Sequence, residues 1–279
     1  MITNLSTVLK EAYENNYAVG AFNVYNYETI KAVIEVIKER KQDAIIAFGE
    51  KYLENMELKE VVNLIRTMTT NLSSKVVIHL DHCKDLKVIK NAIEAGFTSV
   101  MYDGSFLPYE ENVANTKIVV QMAHEVGVSV EAELGSLKLG EHSNEDEAKE
   151  IYTDPQQAED FVRRTGVDCL AVSIGTVHGM YHGEPKISVE RLVEINQLVK
   201  IPLVLHGGSG TPVKTIKECI ANGVAKINVN TEISYNVVEA FKEELKGKTH
   251  FSQLSVLAVE KAKEVVDKYM EIFNPKEEA

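Results

Sequence analysis

Lys75-Val76-Val77-Ile78-His79-Leu80-Asp81-His82 is a short β-rich apolar run that closes on a carboxylate and an imidazole. Such a run, too brief for an ordinary helix and rich in branched side chains, reads as a buried strand. Its polar end then falls where a strand gives way to a loop. Working outward, the same pattern recurs along the chain. Strands are expected near residues 18–23, 43–48, 75–80, 97–102, 127–132, 168–173, 201–206 and 224–229, each followed by a stretch of helical period. That count predicts an α/β fold, a closed (β/α)8 TIM barrel, in one domain over residues 1–279. A doubly wound open sheet is the alternative, and it normally uses fewer units.

Local signals agree with this order. Thr153-Asp154-Pro155 reads as an N-cap with proline in the first helical turn, and Thr211-Pro212 reads the same way before a helix over residues 213–221. Gly96, Gly127, Gly166 and Gly223 stand at or just before strand starts. An additional C-terminal helix is expected near residues 254–272, with residues 274–279 as a loose tail.

Composition narrows the function. The chain has 279 residues, 44% hydrophobic and 26% charged, and a formal charge of −12. That charge argues against nucleic-acid or anionic-membrane partners. A phosphate ligand would need local N–H groups and cations against the overall field. Cys83, Cys169 and Cys219 are widely spaced, and no apolar run resembles a signal peptide or a membrane span. A reduced, cytoplasmic setting is the expectation.

Polar residues collect at the ends of the expected strands. They are Asn23, Asp81-His82, Asp103 and Ser105, Glu131 and Glu133, Ser173 leading to His178, His206-Gly207-Gly208-Ser209, and Asn228 with Asn230 and Thr231. In a barrel these ends share one rim, where active sites lie. His82, His178 and His206 could hold a metal as three nitrogen ligands with one position open, the pattern of a catalytic zinc. Asp81 beside them could cap a helix, and is better read as a proton-transfer group next to a Lewis acid. Of Glu131 and Glu133, one is expected to face the rim and the other to form a structural ion pair. Gly207-Gly208-Ser209, after a strand and before a helix, reads as a backbone cradle for phosphate. His79, His124, His142, His182 and His250 receive no ligand role.

These segments resemble the class II, metal-dependent ketose-bisphosphate aldolases, and their order from Ala21 to about Glu232 is that family's order. The resemblance rests on Val76–His82 as quoted, Tyr102-Asp103-Gly104-Ser105 and Val130-Glu131-Ala132-Glu133-Leu134-Gly135. It continues in Gly175-Thr176-Val177-His178-Gly179, Leu205-His206-Gly207-Gly208-Ser209-Gly210 and Lys226-Ile227-Asn228-Val229-Asn230-Thr231. It implies zinc on His82, His178 and His206, with Asp103 and Glu133 forming or bordering a second cation position. It implies Asp81 for the proton on the C4 oxygen and Glu141, on a mobile loop, for the proton on C3. Gly179, Gly207, Ser209 and Thr231 would hold the C1 phosphate, in many members beside a monovalent cation, Na+ or K+. Asn228 would contact substrate oxygens, and Asn23 would line the pocket. The implied activity is reversible cleavage of a ketose 1-phosphate or 1,6-bisphosphate to dihydroxyacetone phosphate and an aldehyde, through a zinc-stabilised enediolate, in a homodimer or homotetramer.

Four departures from the family pattern bear on substrate. The loop before Glu141 carries one glycine, Gly140; Ala47-Phe48-Gly49 stands where many members have serine; and Asn230 replaces an acidic residue. Residues 246–254 lack the Asp-Pro-Arg motif whose arginine contacts the distal phosphate. A lysine lacks the fork that grips phosphate bidentately. The expected enzyme is therefore a divergent branch whose aldehyde product need not be phosphorylated. Fructose 1,6-bisphosphate or tagatose 1,6-bisphosphate is the alternative substrate. A Schiff-base mechanism on Lys226, a metal-dependent barrel hydrolase and a sugar-phosphate sensor are the competing readings.

Overall fold

The computed structural model describes residues 1–145, 150–183 and 185–275, so the end of the expected tail, 276–279, lies outside the described residues. The strands are β1 (Ile2–Thr3), β2 (Val19–Asn23), β3 (Ala44–Gly49), β4 (Val76–Cys83), β5 (Ser99–Tyr102), β6 (Ser129–Leu134), β7 (Lys138–Leu139), β8 (Cys169–Val172), β9 (Val177–His178), β10 (Leu203–Leu205) and β11 (Val224–Val229). The helices are α1 (Leu5–Glu14), α2 (Tyr27–Arg40), α3 (Leu58–Met68), α4 (Leu86–Ala95), α5 (Tyr109–His124), α6 (Pro155–Thr165), α7 (Val189–Val199), α8 (Val213–Ala221), α9 (Thr231–Glu244) and α10 (Phe251–Phe273).

Eight parallel strands pair in the cyclic order β2-β3-β4-β5-β6-β8-β10-β11 and back to β2. Each is followed by a helix, so the closed (β/α)8 barrel expected from the sequence is present, with α10 as the additional C-terminal helix along α2, α8 and α9. Among the described residues no helix is long and apolar enough to cross a membrane. The three cysteines are buried and free.

Strand alternation divides the core in two. Outward residues such as Ile46, Phe48, Ile78, Leu80, Val130 and Leu170 pack under the helices. Inward residues Val19, Ala21, Ile45, Val77, Cys169, Ala171 and Val204 meet Leu5, Val8, Leu9 and Ala12 of α1. α1 packs on β2, β6 and β11 and closes the end where strands begin; Ser6 N donates to Ser129 Oγ at 3.0 Å. Asn4 caps this helix by accepting from Thr7 N. The barrel interior thus has an apolar floor, and its polar residues lie toward the opposite rim.

β4 carries the decisive irregularity. The sequence places its end at residue 80, but it runs on to Cys83, and its register with β5 shifts between Leu80 and Cys83. His82 sits there at φ +46°, a left-handed conformation that bulky residues avoid. In a regular strand Asp81 and His82 would face opposite sides. The bulge re-aims His82 inward, so both reach the same site.

Candidate metal and substrate site

Nitrogen atoms of His82, His178 and His206 all lie within 4.8 Å of one another. The His82 ring centroid is 4.4 Å from that of His206 and 5.0 Å from that of His178. His82 Nδ1 is 3.0 Å from Asp103 Oδ2, which turns Nε2 inward to within 2.7 Å of His206 Nδ1. Two ring nitrogens this close need a proton or a cation between them. His178 Nε2 is buried without a hydrogen-bond partner among the described residues. Three converging nitrogens, one of them orphaned, fit a metal held by imidazoles with a further position open.

Electrostatics point the same way. Burial drives His178 well below the ordinary histidine range, and His82 and His206 push it further down. Burial also lowers His206, with His82 adding to the effect. At His82 burial opposes the charge, yet Asp81 and Asp103 outweigh it and raise the ring to about 10. Of the three rings only His82 is thus favoured to carry a positive charge, which a bound cation can replace.

Asp81 sits under this trio with both oxygens fixed. Asn23 Nδ2 donates to Oδ2 at 2.8 Å and Asn228 Nδ2 donates to Oδ1 at 3.0 Å. Burial would favour its neutral form, but His82 and Lys226 hold the carboxyl well below the usual range. An ionised, oriented carboxylate facing the cavity is a base. Asp103 is likewise held low by His82 against burial, and it accepts from Ser105 Oγ at 2.7 Å.

Glu131 and Glu133, two apart on β6, share the inward face at different depths. Glu133 Oε2 has no hydrogen-bond partner among the described residues and lies 3.8 Å from His82 Nδ1; burial and Asp103 push this carboxyl well up. Its ligand atoms cluster with those of His82 and Asp103 within 4.8 Å, a second candidate cation position. Glu131 lies deeper and pairs with Lys226 Nζ at 2.7 Å. One glutamate near the rim and one in an ion pair is the division anticipated from the sequence.

Two hollows meet at the histidines. A small one, about 30 Å³, is lined by Asn23, Gly179, Gly207, Ser209, Asn228, Asn230 and Thr231, among others. Gly207 has φ +74°, and a Cβ there would stand 2.2 Å from Val177 O, so only glycine fits. The N-terminus of α9 opens here at Thr231, a favourable place for an anion. Gly208 departs from its expected role: its N–H is committed to Asn228 O at 3.0 Å and is unavailable to a ligand. The second hollow, about 670 Å³, opens on the far side past Lys51, Lys84, Ser105, Phe106, Leu107 and Leu137.

Glu141 also departs from expectation, because it lines neither hollow. Its backbone is zipped to Met180 by two hydrogen bonds of 2.7 and 2.8 Å, and its carboxylate turns outward to His182 at 3.0 Å. Glu145 of the same loop lines both hollows and is paired with Lys51. Tyr52 ties this loop to the rim, its hydroxyl accepting from Asn144 Nδ2 at 3.2 Å and from Asn230 Nδ2 at 3.0 Å. The sequence reading missed Glu145, Tyr52 and the identity of Lys226 as the ion-pair partner of Glu131. Charges interrupting the apolar strands at Glu131 and Lys226 were the available signal. Lys226 is wholly buried on Glu131 and lines neither hollow, which removes it as a Schiff-base nucleophile.

The family model described as Fructose-bisphosphate aldolase class-II matches residues 3–278. The fructose-bisphosphate aldolase of Geobacillus stearothermophilus is 44% identical over 245 residues, covering 87% of this chain and 85% of the relative. That of Staphylococcus aureus strain Mu50 is 43% identical over 249 residues, covering 88% and 86%. Among solved structures, the YdjI aldolase of Escherichia coli K12 superposes with a TM-score of 0.88 at 34% identity, over 99% of this chain and 98% of that one. The chain belongs to the class II fructose-bisphosphate aldolase family, and is with it an aldehyde-lyase rather than a hydrolase or a sensor.

Proposed function

We propose that this chain, one domain over residues 1–279, is a zinc-dependent aldolase that reversibly cleaves a ketose 1-phosphate to dihydroxyacetone phosphate and an aldehyde. The observation that carries the reading is the convergence of the His82, His178 and His206 nitrogens beside an ionised Asp81. Zinc suits three imidazoles, and bound there it supplies a Lewis acid for the ketose oxygens, worth several kcal/mol of transition-state charge. Asp103 and Glu133 are assigned to a second cation position.

Asp81, held by Asn23 and Asn228, takes the proton from the C4 hydroxyl in cleavage and returns it in synthesis. Gly179, Gly207, Ser209, Asn230, Thr231 and the start of α9 hold the C1 phosphate, with Na+ or K+ beside it. The proton on C3 falls to a carboxylate of the loop after β6. Glu145 already lines the cavity; Glu141 reaches it only by leaving His182 and Met180. The lining cations of the aldehyde side are lysines, Lys51 and Lys84, beside apolar Phe106, Leu107 and Leu137. That lining favours an aldehyde without a phosphate, since no guanidinium fork stands among its described residues.

Two outcomes decide these assignments. Exchange of the C3 hydrogen of dihydroxyacetone phosphate with deuterated solvent should vanish in either Glu141→Ala or Glu145→Ala; full exchange in both removes the loop from the chemistry. In a substrate panel, a ketose 1-phosphate should be cleaved with kcat/KM at least comparable to fructose 1,6-bisphosphate. Bisphosphates preferred far above every ketose 1-phosphate would restore the alternative substrate. The assembly is proposed as a homodimer or homotetramer in the cytoplasm, with exposed Tyr27, Val238, Phe251 and Val256 of α2, α9 and α10 available for burial.

A further inference from the structure

We propose that Glu131, braced by Lys226, is a positioning residue that fixes His206 as an Nδ1 ligand, an inference that rests on the metal-site reading above. Glu131, Lys226, His79 and His206 form a polar layer between the apolar floor and the rim, all at most 1% exposed. Glu131 Oε1 is 2.9 Å from His206 Nε2 and 3.0 Å from Lys226 Nζ, and Lys226 also reaches Oε2 at 2.7 Å.

An ionised carboxylate only accepts hydrogen bonds. The proton of a neutral His206 must then sit on Nε2, leaving the Nδ1 lone pair aimed at His82 Nε2. His82 is set the opposite way, with Nδ1 toward Asp103. The two rings thus present different nitrogens to a common point, each fixed by its own carboxylate. A protonated Glu131 could donate instead and release that choice. Lys226 Nζ, donating to both Glu131 oxygens at 3.0 and 2.7 Å, keeps this carboxyl an acceptor toward His206. His79 lies beside the pair with Nε2 3.6 Å from Glu131 Oε2, and its Nδ1 is occupied by Ser99 Oγ at 2.9 Å. Carboxylates behind metal-binding imidazoles commonly raise affinity 10–100-fold.

The test uses the full-length protein and zinc alone. In ¹⁵N-histidine spectra of metal-free and zinc-loaded wild type, His206 should carry its proton on Nε2 and bind zinc through Nδ1. Binding through Nε2 overturns the proposal while leaving the metal site intact; absence of zinc from all three rings overturns the underlying reading instead. The double variant Glu131→Met/Lys226→Met removes both buried charges together, a replacement cores often tolerate. Its zinc affinity, from chelator competition, should fall about 10–100-fold at unchanged metal-free melting temperature. Glu131→Gln, which keeps an acceptor, should lose less. Wild-type affinity in a folded double variant would make the layer merely structural and sink the proposal; if that variant does not fold, the wild-type spectra decide.

Discussion

The role proposed for Asp81 rests on its two amide partners and the nearby imidazoles, as much as on its own carboxylate. Replacing it with asparagine keeps the volume and removes the base. Asp81→Asn should lower kcat by about 10²–10⁴-fold with metal content unchanged, since one general acid–base group is lost; equal loss of zinc would make Asp81 a ligand. This residue and the three imidazoles were legible in the sequence because each follows an apolar strand. The inward turn of His82 was not, since it depends on a left-handed backbone angle within a bulge. The Glu131–Lys226 pair was half legible. Two charges in buried strands must be compensated, but that β6 and β11 face each other across the interior follows only from closure of the ring.

At the scale of elements, the eight barrel strands could be read because each is a short, mostly apolar run between turn signals. The two-residue strands β1, β7 and β9 could not, being too short to show any period. α1 went unread although Leu5, Val8, Leu9 and Ala12 mark a helical face behind the Asn4 cap. The pairing of β7 with β9 explains the outward Glu141: it stitches the loop after β6 to the segment carrying His178, and the bridge to Met180 turns that side chain away. The same stitching brings the backbone of Val177 against Gly207. Gly207→Ala should destabilise the protein by at least ~1–2 kcal/mol from its left-handed backbone alone. It should also raise KM for the phosphorylated substrate. An unchanged melting temperature and KM would mean that the turn does not shape the cradle.

For the whole molecule, an apolar floor below a buried polar layer ties stability to the state of the site. In metal-free protein His82 is raised to about 10, so its contribution is complete below the ordinary value of 6.5 and is lost as pH rises toward 10. Glu133, held up by burial, acts in the same direction, because the folded form keeps a proton that the unfolded chain gives up near 4.5. Chelated protein should therefore lose melting temperature steadily between pH 7 and about 10, while zinc-loaded protein should show a much flatter profile. A chelated profile as flat as the loaded one would contradict this electrostatic picture.

The most direct test of the central claim is a zinc titration of metal-stripped enzyme, following release of dihydroxyacetone phosphate from a ketose 1-phosphate. Turnover should start near zero and rise in proportion to added zinc, and a variant lacking the His206 ring should not recover. Full turnover before any metal is added, or full recovery without that ring, would contradict the account.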